Sequence, residues 1–87
     1  MKILTRGVAM EWRTNFSSRL KELRKINNVS LDSLKDNIGI TKAALSQFEN
    51  RTSSPSIKTL ISIADFFGVS TDYLLGRTDN PEVLEKK

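Results

Sequence analysis

The side chains best placed to do chemistry in this sequence share one short face: Lys42, Ala43, Ser46 and Gln47, with Thr41 before them and Asn50 after. An ammonium, two hydroxyls and two amides donate and accept hydrogen bonds, and an alanine methyl offers a small apolar contact. This is the chemistry of recognition. The face carries no acid, which suits it to meeting another surface better than to keeping a helix soluble. Covalent chemistry finds little support elsewhere. The chain has no histidine and no cysteine, so the usual general bases, thiol nucleophiles and metal ligands are missing. No glycine-rich phosphate loop is present, and the carboxylates are scattered over helix starts and turns. No enzyme is expected, and no cofactor or metal.

A face of this kind needs a helix behind it. Thr41 is a good N-cap, and Leu45 and Phe48, three apart, point to the opposite side as anchors. The expected reading helix therefore runs from Lys42 to about Asn50. Gly39, between Ile38 and Ile40, supplies the turn before it. A preceding helix is expected over Leu31 to Ile38, with Ser30 as cap, Asp32 in its first turn, and Leu31, Leu34 and Ile38 facing inward. Only a few residues separate the two helices, which forces a sharp angle between them.

The remaining elements read as a frame. Phe16, Leu20, Leu23 and Ile26 form an apolar stripe on a first helix from about Asn15 to Ile26, which Asn27-Asn28 ends. Residues 1–13 show no clean period, and Gly7 argues against one continuous helix through them. They are expected to be a flexible arm, with Trp12 either in the core or on a partner surface. Pro55 marks a loop and Ser56 caps a fourth helix, about Ile57 to Phe67. That helix is the most apolar, and it is expected to be central and buried. Gly68 ends it, Ser70 caps a short fifth helix over Thr71 to Leu75, and Gly76 stops that one. The domain is then 14–76. The tail, 77–87, turns at Asp79-Asn80-Pro81 and is left open between a disordered end, a short helix and the start of a linker.

Eighty-seven residues, 38% hydrophobic and 28% charged, make one ordinary globular domain. No apolar run is long enough to span a membrane, and the N-terminus has no signal-peptide core. Missing cysteine is compatible with a reducing cytoplasm. The net charge is +4, unevenly placed: residues 1–29 hold seven cations against two anions, and the remainder is net −1. A basic patch favours a polyanionic partner, although a solvated helix face would look the same.

The order of these pieces resembles a known family. Leu20 and Leu23 come first, then Ser30-x-x-x-Leu34 and Ile38-Gly39-Ile40-Thr41. Leu45-Ser46-Gln47-Phe48-Glu49-Asn50, Pro55-Ser56-x-x-Thr59-Leu60 and Ile63-Ala64 follow, and Phe67-Gly68-Val69-Ser70-x-Asp72-Tyr73-Leu74-Leu75-Gly76 closes the series. Together they resemble the helix-turn-helix domain of phage repressor and Cro proteins, the XRE family. The resemblance covers about sixty of the 87 residues and implies an all-α, five-helix, lambda-repressor-like fold.

It also implies a function: sequence-specific binding of double-stranded DNA by a transcriptional regulator, most simply a repressor. The helix over 41–50 would enter the major groove. Lys42, Ala43, Ser46 and Gln47 would then meet base edges, and Thr41, Asn50, Arg51 and Lys58 would meet phosphates, with cations of the first helix as further contacts. The expected form is a homodimer on a pseudo-palindromic operator. The dimer would be held by helix five with the tail (Tyr73, Leu75, Val83, Leu84) or by the N-terminal arm. Its expected place is the cytoplasm, on the nucleoid, as a bacterial or phage-encoded protein. Glu49 matches a family acid of structural role, expected to pair with Arg19. Three positions depart from the pattern: Leu31 where glutamine often reaches a phosphate, Lys35 where alanine often permits close packing, and Arg51 where glycine often follows Glu-Asn. The departures leave room for a second function, an antitoxin-like or adaptor module whose partner is a regulatory protein.

Overall fold

The computed structural model describes the backbone of residues 6–83 and the side chains from Trp12 to Val83. Five helices follow in order: α1 (Arg6–Ile26), α2 (Leu31–Ile38), α3 (Lys42–Glu49), α4 (Ile57–Phe67) and α5 (Thr71–Leu74). Among the described residues there is no strand.

Local sequence explains both ends of most helices. Ser30, Thr41, Ser56 and Ser70 stand at the N-caps of α2 to α5 in extended conformation. Each side-chain oxygen accepts from the backbone N–H three residues on, which satisfies one of the free donors of the first turn. Each helix is followed by a left-handed residue: Asn28, Gly39, Arg51, Gly68 and Gly76. After α1, α3, α4 and α5 the chain closes with two nested bonds, the outer one reaching five residues back and the inner one three. This is the Schellman arrangement. Gly39, with φ of 83°, turns the chain from α2 towards α3. Gly76 has a further constraint, since a Cβ there would collide with the Asn15 side chain.

The helices pack so that α3 lies between α1 and α2, α2 also meets α4, and α5 bridges α1 and α4. The buried core is Phe16, Leu20, Leu34, Leu45, Phe48, Ile63, Ala64, Val69 and Leu74, with Trp12, Leu23, Leu31, Ile38, Leu60, Phe67 and Tyr73 packed at its edge. Phe16 meets Phe48 edge to face at 5.9 Å, an arrangement favoured by the ring quadrupoles.

Three expectations change. First, α1 starts at Arg6 rather than near Asn15, so the expected flexible arm over 1–13 is helical from residue 6; residues 1–5 lie outside the described residues. Extending an established helix costs little, and Gly7 adds only about 1 kcal/mol against it. The stripe accordingly reaches back from Phe16 to Trp12, whose ring packs on the core, and not forward to Ile26, which is 71% exposed. Ile26 lies in the last turn, where the chain leaves the body at Asn28.

Second, α4 is not enclosed. Ile63 and Ala64 are buried, but Ile57 is 77% exposed and Ile61 46%. A domain this small has too few neighbouring elements to cover every face of an apolar helix. Third, the tail over 77–83 is neither helical nor detached. Arg19 donates to the carbonyls of Tyr73 and Thr78, at 2.7 Å each, and pairs with Asp79 at 2.8 Å. The Arg19 guanidinium also lies 4.0 Å from the Tyr73 ring centroid, and the Ser70 N–H reaches back to the Pro81 carbonyl. Leu84, a candidate dimer residue, lies outside the described residues.

Candidate nucleic-acid interface

The exposed ridge of α3 is assembled by its two neighbours. From α2, the Gly39 turn redirects the chain, and Ile40 packs at the core edge. Thr41 then caps α3 by accepting from the Ala44 N–H at 3.0 Å. From within α3, Leu45 and Phe48 are buried in the body. The opposite side is thereby set outward: Thr41, Lys42, Ala43, Gln47 and Asn50 are exposed and Ser46 is half-buried. These six share one ridge, as the spacing predicts. Arg51 follows immediately and is exposed. Lys58 is exposed too, but it stands apart on the first turn of α4, and among the described residues no hydrogen bond or ion pair ties it to α3.

The N-terminal end of the ridge is lightly held. Lys42 Nζ lies 3.6 Å from Asp32 Oδ2, with both side chains more than half exposed. An exposed pair contributes at most about 1 kcal/mol, so the ammonium is available to another acceptor. The positive end of the helix dipole points the same way.

The C-terminal end is welded to α1. Glu49, whose side chain is only 9% exposed, accepts from Arg24 Nε at 2.6 Å and Nη2 at 2.9 Å. Arg24 Nη1 also donates to the Val29 carbonyl at 3.1 Å, which ties in the α1–α2 turn. The Glu49 hydrogen bond is the main reason the guanidinium is held above its ordinary pKa, and burial only partly opposes it. Ser17, itself buried, donates to the Glu49 carbonyl at 2.6 Å. The partner of Glu49 is thus Arg24, not the expected Arg19, which is turned to the other side of α1 and holds the tail. Sequence reasoning missed Ser17 and Arg24 as supports of this site. A signal was present: Ser17, Leu20 and Arg24 are three and four apart, so two polar residues share the register of a buried leucine.

The three departures have distinct outcomes. Leu31 is half-buried and packs on the core edge, so the start of α2 offers an apolar side chain in place of a donor. Lys35 is half-buried and pairs with Asp36 at 2.7 Å. Arg51 adopts φ of 64°, the left-handed region that glycine occupies without strain.

The chain belongs to the helix-turn-helix family of XRE type: the family model matches residues 20–74, from the middle of α1 to the end of α5. It is 34% identical over 67 residues to the uncharacterized HTH-type transcriptional regulator YobD of Bacillus subtilis, covering 77% of this chain and 60% of that one. It is 42% identical over 59 residues to the HTH-type transcriptional regulator AnsR of the same organism, covering 68% and 51%. It is 30% identical over 74 residues to the cryptic phage CTXphi transcriptional repressor RstR of Vibrio cholerae, covering 83% and 67%. The chain spans about three fifths of the length of YobD. No helix among the described residues is long and apolar enough to cross a membrane.

Proposed function

We propose that this chain is a sequence-specific DNA-binding regulator that places α3 in the major groove and represses transcription by occupying its site. One observation carries the reading. The only acid of α3, Glu49, is drawn inward by Arg24, so the ridge offers the duplex an ammonium, hydroxyls, amides and a methyl with no carboxylate. Lysine can donate to guanine O6 and N7, glutamine can bond adenine N6 and N7, and the alanine methyl can meet a thymine methyl. Lys42, Ala43, Ser46 and Gln47 take these base-facing roles. Thr41, Asn50, Arg51 and Lys58 set the register on phosphates. The names of YobD, AnsR and RstR as regulators and a repressor support the same reading.

The functional form is a homodimer on a pseudo-palindromic operator, because one copy of so small a module buries too little surface to bind tightly. It works in the bacterial cytoplasm, on the nucleoid. Random-site selection with purified protein tests this. The expected result is an enriched two-fold motif whose affinity falls steeply with salt. In the same assay Gln47→Ala costs about 1–3 kcal/mol at one base position per half-site. No enrichment over random duplex at low salt would overturn the proposal. The exposed Ile57 and Ile61, the first of them lining a groove with Trp12, Pro55, Leu60, Leu75 and Arg77, favour a second reading, an antitoxin-like or adaptor module with a regulatory protein partner. That reading gains if the duplex selection fails.

A further inference from the structure

The basic excess of the first third of the chain is only partly used by the contacts described so far. Arg24 is committed to Glu49 and Arg19 to the tail, and Arg13 lies 5.5 Å from the Trp12 ring centroid. Lys21 is different. It is exposed on α1, and among the described residues no acid pairs with it. It lines an open cleft of about 300 Å³ between α1 and the end of α3, together with Ser17, Ser18, Glu49, Asn50 and Arg51.

The end of a helix is ordinarily a poor place for an anion, because its last carbonyls are free and negative. Here they are covered. The Ser46 carbonyl accepts from the Asn50 N–H at 2.9 Å, Gln47 from the Thr52 N–H at 2.9 Å, and Phe48 from the Arg51 N–H at 3.2 Å. The Glu49 carbonyl accepts from Ser17 Oγ at 2.6 Å. The Glu49 carboxylate is answered on both oxygens by Arg24. What the cleft still offers is the Lys21 ammonium, the Arg51 guanidinium, the Ser18 hydroxyl and the Asn50 amide. The left-handed turn at Arg51 makes two of the carbonyl closures and carries one of the cations.

Placement matches chemistry. An eight-residue helix such as α3 is about 12 Å long, whereas the major groove is about 8.5 Å deep. With the first turn of α3 at the bases, the last turn stands at the lip of the groove, where the phosphates run. We infer that this cleft is a phosphate seat. It takes one DNA backbone phosphate, with Lys21 and Ser18 of α1 as donors beside Asn50 and Arg51, and so makes α1 part of the nucleic-acid surface. The inference rests on the proposed function and adds to it Lys21 and Ser18, the α1 residues that complete the seat.

The test measures duplex affinity against salt for the full chain, Lys21→Gln and Lys25→Gln, on the selected operator. Lys25 is an exposed cation on the same helix, outside the cleft. Lys21→Gln is expected to reduce the log–log salt slope by about 0.9, the release expected for one phosphate, with the base preference unchanged. Ethylation interference is expected to lose one phosphate per half-site in this variant alone. The seat is overturned if Lys21→Gln keeps the wild-type slope and interference pattern, or if Lys25→Gln gives the same loss, which would mark a diffuse field. It also falls if the wild-type chain prefers no duplex. In that case Gln47→Ala is without effect as well, and the proposed function fails with it.

Discussion

The two ends of α3 are built on opposite plans. The first turn is held by its own Thr41 cap and by an exposed, loose contact between Lys42 and Asp32. The last turn is fixed to α1 by a part-buried bidentate ion pair and a buried serine, and it is closed by a left-handed turn. The proposed function gives this division a use. With α3 at a duplex, the far end would set direction and depth, and the near end would keep side chains whose partners can be exchanged for base edges.

Breaking the welded end is expected to have the largest effect. Glu49→Ala leaves Arg24 half-buried without its acid, and loss of one member of such a pair costs about 3–5 kcal/mol. Thermal melting then shows a fall of more than ten degrees, at roughly 4–8 °C per kcal/mol for a domain of this size. A loss near that of an exposed pair would put both ends of α3 on the same plan. Ser17→Ala strands the Glu49 carbonyl and is expected to cost about 1–3 kcal/mol. At the other end, Thr41→Ala removes one cap for about 1 kcal/mol, and its melting curve shifts by a few degrees. Arg51→Gly is the smallest and has the opposite sign. Relief of the left-handed strain raises stability by about 0.5–1 kcal/mol, while duplex binding weakens through loss of a cation. A variant that is both less stable and unchanged in binding would contradict both roles given to Arg51.

The same contrast explains what could be read from the chain. Ser30, Thr41, Ser56 and Ser70 mark helix starts, and Gly39, Gly68 and Gly76 mark stops, because caps and left-handed turns are decided within five or six residues. The polar ridge was legible for the same reason: Leu45 and Phe48 fix which way Lys42, Ala43 and Gln47 point. The support of that ridge was not. Arg19 and Arg24 are both cations of one helix, and only the angle between α1 and α3 decides which one meets Glu49. The exposure of Ile57 and Ile61 was hidden as well, since periodicity reports an apolar face and not whether a small domain has anything to lay against it. The start of α1 was obscured by Gly7, a local penalty that the longer helix overrides.

The tail has a consequence in time rather than in energy. Helix boundaries written locally form within microseconds, and small helical domains with near-neighbour contacts fold in about microseconds to milliseconds. The strap that Arg19 holds joins residues 54 to 60 positions apart, and it can dock only once α5 has been laid on α1. That packing closes the long loop first. Residues 77–83 are therefore the last to settle as the domain forms. They are also the first to leave when it opens, and early proteolytic cleavage or early amide exchange in this segment would report that order.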